Sequence, residues 1–171
     1  MRVWLLVLCL GLTACVSPPK GVQPVTPFDQ AKYLGTWYEI ARLDHSFERG
    51  LSRVTAEYSL NDDDSIKVIN RGFNLQKNEW KQAEGRALAV QGKDVGHLKV
   101  SFFGPFYGAY VVAGIDPDYQ HVWVTGPNHK YLWIMSRQPQ MPADVFANYL
   151  SQAAAAGFAV DQLIIVNQEP L

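Results

Sequence analysis

Eight β-rich runs, cut apart by short clusters of turn residues, set the main constraint on this chain. The runs cover residues 36–42, 52–60, 66–73, 80–90, 97–103, 107–115, 121–125 and 132–137. Between most of them stand Asn, Asp, Gly and Pro clusters at 61–64, 76–78, 92–94, 104–105, 116–118 and 126–128. Strands at such regular spacing, bounded by turn residues, predict a sandwich or barrel. The connections are too short for parallel crossovers, so consecutive strands pair as antiparallel neighbours. The expectation is an all-β fold: an eight-stranded antiparallel up-and-down barrel. One helix is also expected. Val145, Phe146, Tyr149, Leu150 and Ala153 recur at helical spacing, with Pro142 suited to the first helical position and Gly157 to the end. Its apolar face needs a surface to cover, and the outer barrel wall offers one. A short ninth strand at 162–166 follows, and a short helical turn precedes the first strand at 28–34. With 171 residues, 48% hydrophobic and 18% charged, the chain suits one packed domain.

The first residues read as an address. Met1-Arg2 precedes an apolar run at 3–12, too short to cross a bilayer core of roughly 30 Å as a helix. The run ends in Leu12-Thr13-Ala14-Cys15, which resembles a bacterial lipobox; a plain secretory signal with an incidental Cys is the alternative. The lipobox reading makes 1–14 a lipoprotein signal peptide and Cys15 the lipid anchor, carrying acyl chains such as palmitate that bind it to the membrane. Val16 stands where an Asp would imply retention at the inner membrane, so sorting rules imply the outer membrane, facing the periplasm. Residues 15–27 hold Pro18, Pro19, Pro24 and Pro27 and read as the lipidated Cys and an extended tether. The barrel domain is 28–171.

Several chemistries find no support. Lys+Arg total 15 and Asp+Glu 16, a formal net charge of −1, which gives no basic excess for nucleic acid. Cys9 leaves with the signal and Cys15 is consumed by lipid, so the domain carries no thiol. His45, His97, His121 and His129 lack ligand spacing, so no metal or other cofactor is expected. No nucleophile–base set stands out, and the chain is read as a binding protein rather than an enzyme.

The run 80–90 places Ala83, Gly85, Ala87 and Ala89 on one face. Directed inward, these small side chains leave space for a ligand, since eight strands enclose room for one small molecule. Close packing against a neighbour is the alternative.

Gly35-Thr36-Trp37 and Arg137 match the lipocalin signature. Asp116 and Tyr119 resemble the family's middle motif, with Pro117-Asp118 interposed, which leaves open which carboxylate caps that turn. The stretches 35–42, 102–108 and 131–137 together resemble bacterial outer-membrane lipocalins, relatives of apolipoprotein D, over about 28–168. This resemblance implies a closed barrel end built from Gly35, Trp37, Asp116 and Arg137, with the guanidinium across the indole. It also implies a lysophospholipid or fatty acid ligand, held for lipid storage or transport in membrane maintenance under stress.

The opposite end is then the mouth. Its loops, 43–51, 75–79, 104–106 and 127–130, carry Phe47, Phe106 and Lys130, with His45, Arg49 and His129 as further cations to meet an anionic head. Period-2 counting turns Tyr131, Trp133 and Met135 inward, with Glu39 and Ala41 after Trp37, and Leu98 and Val100 before Phe102. Glu39 would then need a partner, Asn70 or water. The candidate ligand-binding residues are Phe47, Ala83, Gly85, Ala87, Leu98, Val100, Phe102, Phe106, Lys130, Tyr131 and Trp133. Ala87 is the position where a Trp is expected to fill the lumen without unfolding the barrel. A second function class stays open: a structural or assembly lipoprotein with a filled barrel and a surface protein-binding site. Oligomeric state is open too, with a homodimer as one option.

Overall fold

The computed structural model describes residues 16–170; the signal segment and Cys15 lie outside them. The eight runs form β1 (Gly35–Arg42), β2 (Leu51–Leu60), β3 (Ile66–Asn74), β4 (Glu79–Ala89), β5 (His97–Phe103), β6 (Phe106–Ile115), β7 (His121–Thr125) and β8 (Leu132–Ser136). Each pairs antiparallel with the next, and β1 pairs with both β8 and β2, which closes the barrel. A one-turn helix, α1 (Gln30–Tyr33), precedes β1, with Asp29 accepting from the Ala31 and Lys32 amides as its N-cap.

Alternation along β6, β7, β8 and β1 is apolar on both faces, and two cores result. The inner core holds Trp37, Tyr58, Ile66, Val68, Leu98, Val112, Val122, Val124 and Met135. The outer core sets Val111, Trp123, Leu132 and Ile134 beneath Tyr149 and Ala153 of α2 (Ala143–Ala155), with Phe158 beyond it. Pro142 caps this helix from one residue outside it rather than occupying its first turn. Its C-terminus is a Schellman motif: Gly157, at φ +93°, donates to the Ala154 carbonyl, and the Phe158 amide donates to Ala153. Phe158 then packs edge-on to Trp123, 6.1 Å between ring centroids. Among the described residues, both cores are assembled from Val22 to Leu163.

Three expectations need correction. The first is register. A β-bulge between Glu39 and Ala41 breaks period-2 counting in β1. Ala41 therefore faces the outer core, and Arg42 turns into the barrel in its place. The second is the ninth strand. β9 is only Ile164–Ile165, behind a 3₁₀ turn at Val160–Gln162, and it pairs with Ala41 and Arg42 of β1. The segment after it seals a seam. β1 and β2 are in register only from Gly35–Tyr38 against Thr55–Tyr58, and then diverge. Into the gap Val166 donates to the Ile40 carbonyl, Arg53 donates to Asn167, and the Gln168 amide donates to the carbonyls of Glu39 and Val54 at 2.7 and 2.9 Å.

The third concerns 16–27, which is not a free tether. Val22 is buried in the outer core. Val25 donates to the Val112 carbonyl and accepts from Gly96, both at 2.9 Å, and the Val16 carbonyl lies 2.7 Å from His97 Nε2. Apolar side chains between the prolines found the barrel wall, and burial there outweighs the freedom of an extended arm.

Candidate functional site

The closed end is built around Arg137. Its guanidinium lies 3.8 Å from the Trp37 ring centroid, and Trp37 is fully buried. Every hydrogen bond it makes goes to a main-chain carbonyl: Tyr119, Thr36, Lys32, Tyr33 and Leu34. Gly35 is required here on two counts. Its φ is +96°, and a Cβ would stand 3.3 Å from Arg137 Nη1. Asp116, not Asp118, caps the β6–β7 turn: its Oδ1 accepts from the Gln120 and His121 amides at 2.7 and 3.0 Å, and Oδ2 meets His121 Nδ1 at 2.8 Å. Tyr119 takes up φ +56°, and its hydroxyl accepts from the Asp29 amide.

Inside the barrel, exposure changes with depth. Ala83, Gly85 and Ala87 share the inward face of β4, because Asn70 opposite Ala83 is also opposite Ala56 of the inner core. Ala83 is exposed, Gly85 half-buried, and Ala87 fully buried. Leu98 is likewise buried, whereas Val100, Phe102, Tyr110 and Trp133 are inward-facing but only partly buried. The space over Gly85 is taken by Phe102, whose ring a Cβ there would meet at 2.8 Å. From Ala83 to Ala87 the small-residue face thus passes from open near the mouth to filled, and Ala89 at the end of the strand is exposed again. A Trp at Ala87 would overpack the floor rather than occupy an empty lumen, so Ala83 is the position for a blocking side chain.

The β1–β2 loop folds over the mouth on an ion-paired frame. Arg42 donates to Glu39 Oε1 at 2.7 Å and to the carbonyls of Glu48 and Leu51 at 2.9 Å. Trp133 Nε1 donates to Glu48 Oε2 at 3.0 Å, and His45 Nε2 lies 3.1 Å from the same oxygen. Glu39 and Arg42 are both buried, at 3% and 2% exposure. Burial, reinforced by the nearby Glu48 charge, pushes the Glu39 carboxyl well above the usual carboxylate range. Burial also raises Glu48, but the hydrogen bonds from His45 and Trp133 and the Arg42 charge outweigh it and hold Glu48 below that range. Glu39 therefore takes Arg42 as its partner, not Asn70; the side-chain oxygen of Asn70 is buried without a partner among the described residues.

The rim differs from expectation in its cations. His45 is buried, its ring packed 5.1 Å from Trp133 and 5.6 Å from Tyr131. Arg49 is held by exposed Asp44 at 2.8 Å. His129 bonds the Ala156 carbonyl and packs on Phe158, outside the barrel. Lys130 remains exposed at the rim. Phe47, Tyr131 and Trp133 form a stacked row, with centroids 6.2 and 6.0 Å apart. Phe106 stands at the tip of the β5–β6 turn, 79% exposed, apart from that row. Sequence reading missed Arg42 and Glu48. Without the bulge, Glu39 and Arg42 fall on opposite faces, and no residue type in β1 marks the bulge.

Comparison with known proteins gives a consistent picture. A family model described as a lipocalin-like domain matches residues 28–168. The chain is 49% identical to "Outer membrane lipoprotein Blc" of Vibrio cholerae over 171 residues, covering 99% of this chain and 100% of that one. It is 50% identical to the protein of the same name from Escherichia coli over 159 residues, covering 92% and 90%. Bovine apolipoprotein D is 30% identical over 169 residues, covering 92% and 84%. Among solved structures, insecticyanin from the tobacco hornworm Manduca sexta superposes with a TM-score of 0.71 at 20% identity, covering 88% of this chain and 86% of that one, a likeness of fold alone.

Proposed function

This chain belongs to the lipocalin family, and from that membership we propose that it is an outer-membrane lipoprotein that holds a fatty acid or lysophospholipid in its barrel, for lipid storage or transport in membrane maintenance under stress. The observation that carries the reading is the gradient of exposure along the inward face of β4, from open Ala83 to sealed Ala87. A single chain entering from the mouth would lie along Ala83, Val100, Phe102 and Trp133, with its head near Lys130. The tail supplies most of the affinity, because exposed ion pairs contribute only about 0–1 kcal/mol and each buried methylene about 0.8 kcal/mol.

Titration of a lysophospholipid series against the chain from Val16 onward tests this. Affinity should rise by up to about fourfold per methylene, fall below detection in Ala83→Trp, and weaken no more than about fivefold in Lys130→Ala. Affinity independent of chain length, or binding that survives Ala83→Trp, would place the ligand on the surface and overturn the reading.

The anchor has its own test. Leu12-Thr13-Ala14-Cys15 supports lipidation of Cys15. In Cys15→Ser the uncleaved precursor should accumulate and the outer-membrane fraction should lose the protein. A variant still processed and still fractionating there would exclude the lipobox.

A further inference from the structure

One wall of the barrel is built from sequence without acid. Residues 16–28 and 95–115 contain Lys20 and Lys99 but no Asp or Glu, in a chain that has 16 acidic residues. The two segments lie together. The arm 16–27 docks on β5 and β6, through Val25 on Gly96 and Val112 and through the Val16 carbonyl, 2.7 Å from His97 Nε2. Leu98 packs in the inner core, so His97 and Lys99 face outward along β5. Lys99 Nζ stands 5.1 Å from the ring centroid of Tyr107 on β6. At the mouth end of the same strand Phe103 and Phe106 flank the β5–β6 turn. They are 76% and 79% exposed, more than any other large hydrophobic side chain among the described residues.

The start of the described chain fixes where an anchoring membrane stands. Val16 is held at the closed-end start of β5, and Cys15 is the next residue, one peptide unit of about 3.8 Å away. From His97 to Phe103 the strand spans roughly 20 Å. A lipid leaving at Cys15 and the two phenylalanines therefore stand at the two ends of one wall. A bilayer laid along that wall meets both at once. Exposed aromatic side chains gain by leaving water for the bilayer interface, and a tyrosine beside a lysine suits the headgroup level. The acid-free wall offers no repulsion to anionic headgroups, which attract Lys20 and Lys99. The β2–β3–β4 side is different in kind, with exposed carboxylates at Glu57, Asp62, Asp63, Asp64 and Glu84.

We infer that the outer wall of β5, with the Phe103–Phe106 turn, is a membrane-docking surface, and that its partner is the phospholipid bilayer holding the Cys15 lipid. Docked this way, the barrel lies along the membrane instead of hanging from it. Its mouth then opens at the headgroup level, where a lipid chain enters without crossing bulk water. This rests on the proposed lipid anchor at Cys15 and adds the orientation that the anchored barrel takes.

The test uses the mature lipidated chain in vesicles of phosphatidylethanolamine and phosphatidylglycerol. Cys9 and Cys15 are the only cysteines, so a Cys added to the mature lipidated chain is its single free thiol for a fluorescent label. Gly104→Cys puts the label between the two phenylalanines, where a Cβ meets nothing within 4 Å. Ser46→Cys puts it on the exposed β1–β2 loop, across the mouth. Spin-labelled phospholipid in the vesicles should quench the label at 104 and leave the label at 46 bright. Adding Phe103→Ser/Phe106→Ser to Gly104→Cys should abolish the quenching with Tm unchanged, because both side chains are exposed. A label at 104 that stays bright, equal quenching at 46 and 104, or quenching that survives the two serines overturns the docking surface. If the natural chain does not float with the vesicles, the anchor reading fails first and the docking falls with it.

Discussion

Trp37→Ala should cost about 3–5 kcal/mol of stability, the range for deleting a fully buried indole, and Arg137→Ala about 2–3 kcal/mol, as expected for lost hydrogen bonds from a charged donor. The double variant should lose less than these two costs combined. Arg137 lies 3.8 Å over the indole while bonding the carbonyls around it, so each substitution already removes part of what the other contributes. The coupling should reach about 1–2 kcal/mol. Urea unfolding of the four proteins measures it, with an unchanged dependence on denaturant confirming a common unfolded state. Strictly additive costs would mean that the guanidinium does not seal this end of the barrel.

Arg42→Met should be comparably damaging, at about 3–5 kcal/mol, because it removes a buried guanidinium and leaves the Glu39 carboxyl and the Glu48 and Leu51 carbonyls that it bonds without that donor. Replacing both partners, Glu39→Leu with Arg42→Met, should recover part of that loss, since it also removes the buried carboxyl left without a partner. The pH dependence has a definite sign. The folded-state pKa of Glu39 is raised, so the folded chain keeps a proton that the unfolded chain releases near pH ~4.3. Stability is therefore lost as pH climbs from that value through the raised one. Glu39→Gln removes this loss, so its stability relative to the natural chain should improve as pH rises above the unfolded-state value of about 4.3. Glu48 works in the other sense: its lowered pKa contributes stability above the unfolded value that disappears on acidification. A Glu39→Gln curve parallel to that of the natural chain would mean that Glu39 titrates as it does in water.

The strands were legible because each run of β-formers stops at a strong turn signal. The ends of β1 to β8 fall within one residue of the expected ones. Trp37 and Arg137 meet where the strand order puts them, and Asp116 caps the β6–β7 turn. The misreadings share one physical cause, that local pattern does not report tertiary neighbours. Period-2 counting carried Ala41 inward because nothing in Glu39-Ile40-Ala41 marks a bulge, and with it went the only route to Arg42. The prolines in 16–27 suggested an arm in solvent, but Val22 and Val25 had partners on the barrel that no local rule could supply. His45, Arg49 and His129 were expected as free cations from their loops alone; a ring stack, an ion pair and a helix end claimed them. Ala87 read as empty space because the size of the residue is local, while the Ile66, Leu98 and Val100 side chains that surround it come from β3 and β5.

The sealed seam between β1 and β2 bears on the order in which the chain can fold. Hairpins from β2 to β8 join neighbours in sequence and can form as soon as each is made. The seam cannot, because the Gln168 amide reaches back 129 residues to Glu39 and 114 to Val54. Contacts of that separation must first overcome a large loop-closure entropy, so they form late and are among the first to open. A chain emerging residue by residue would accumulate strands with a slit along one side, and would hold a closed interior only once 164–168 had been delivered. A closed interior is thereby tied to the delivery of 164–168 rather than to the appearance of the strands.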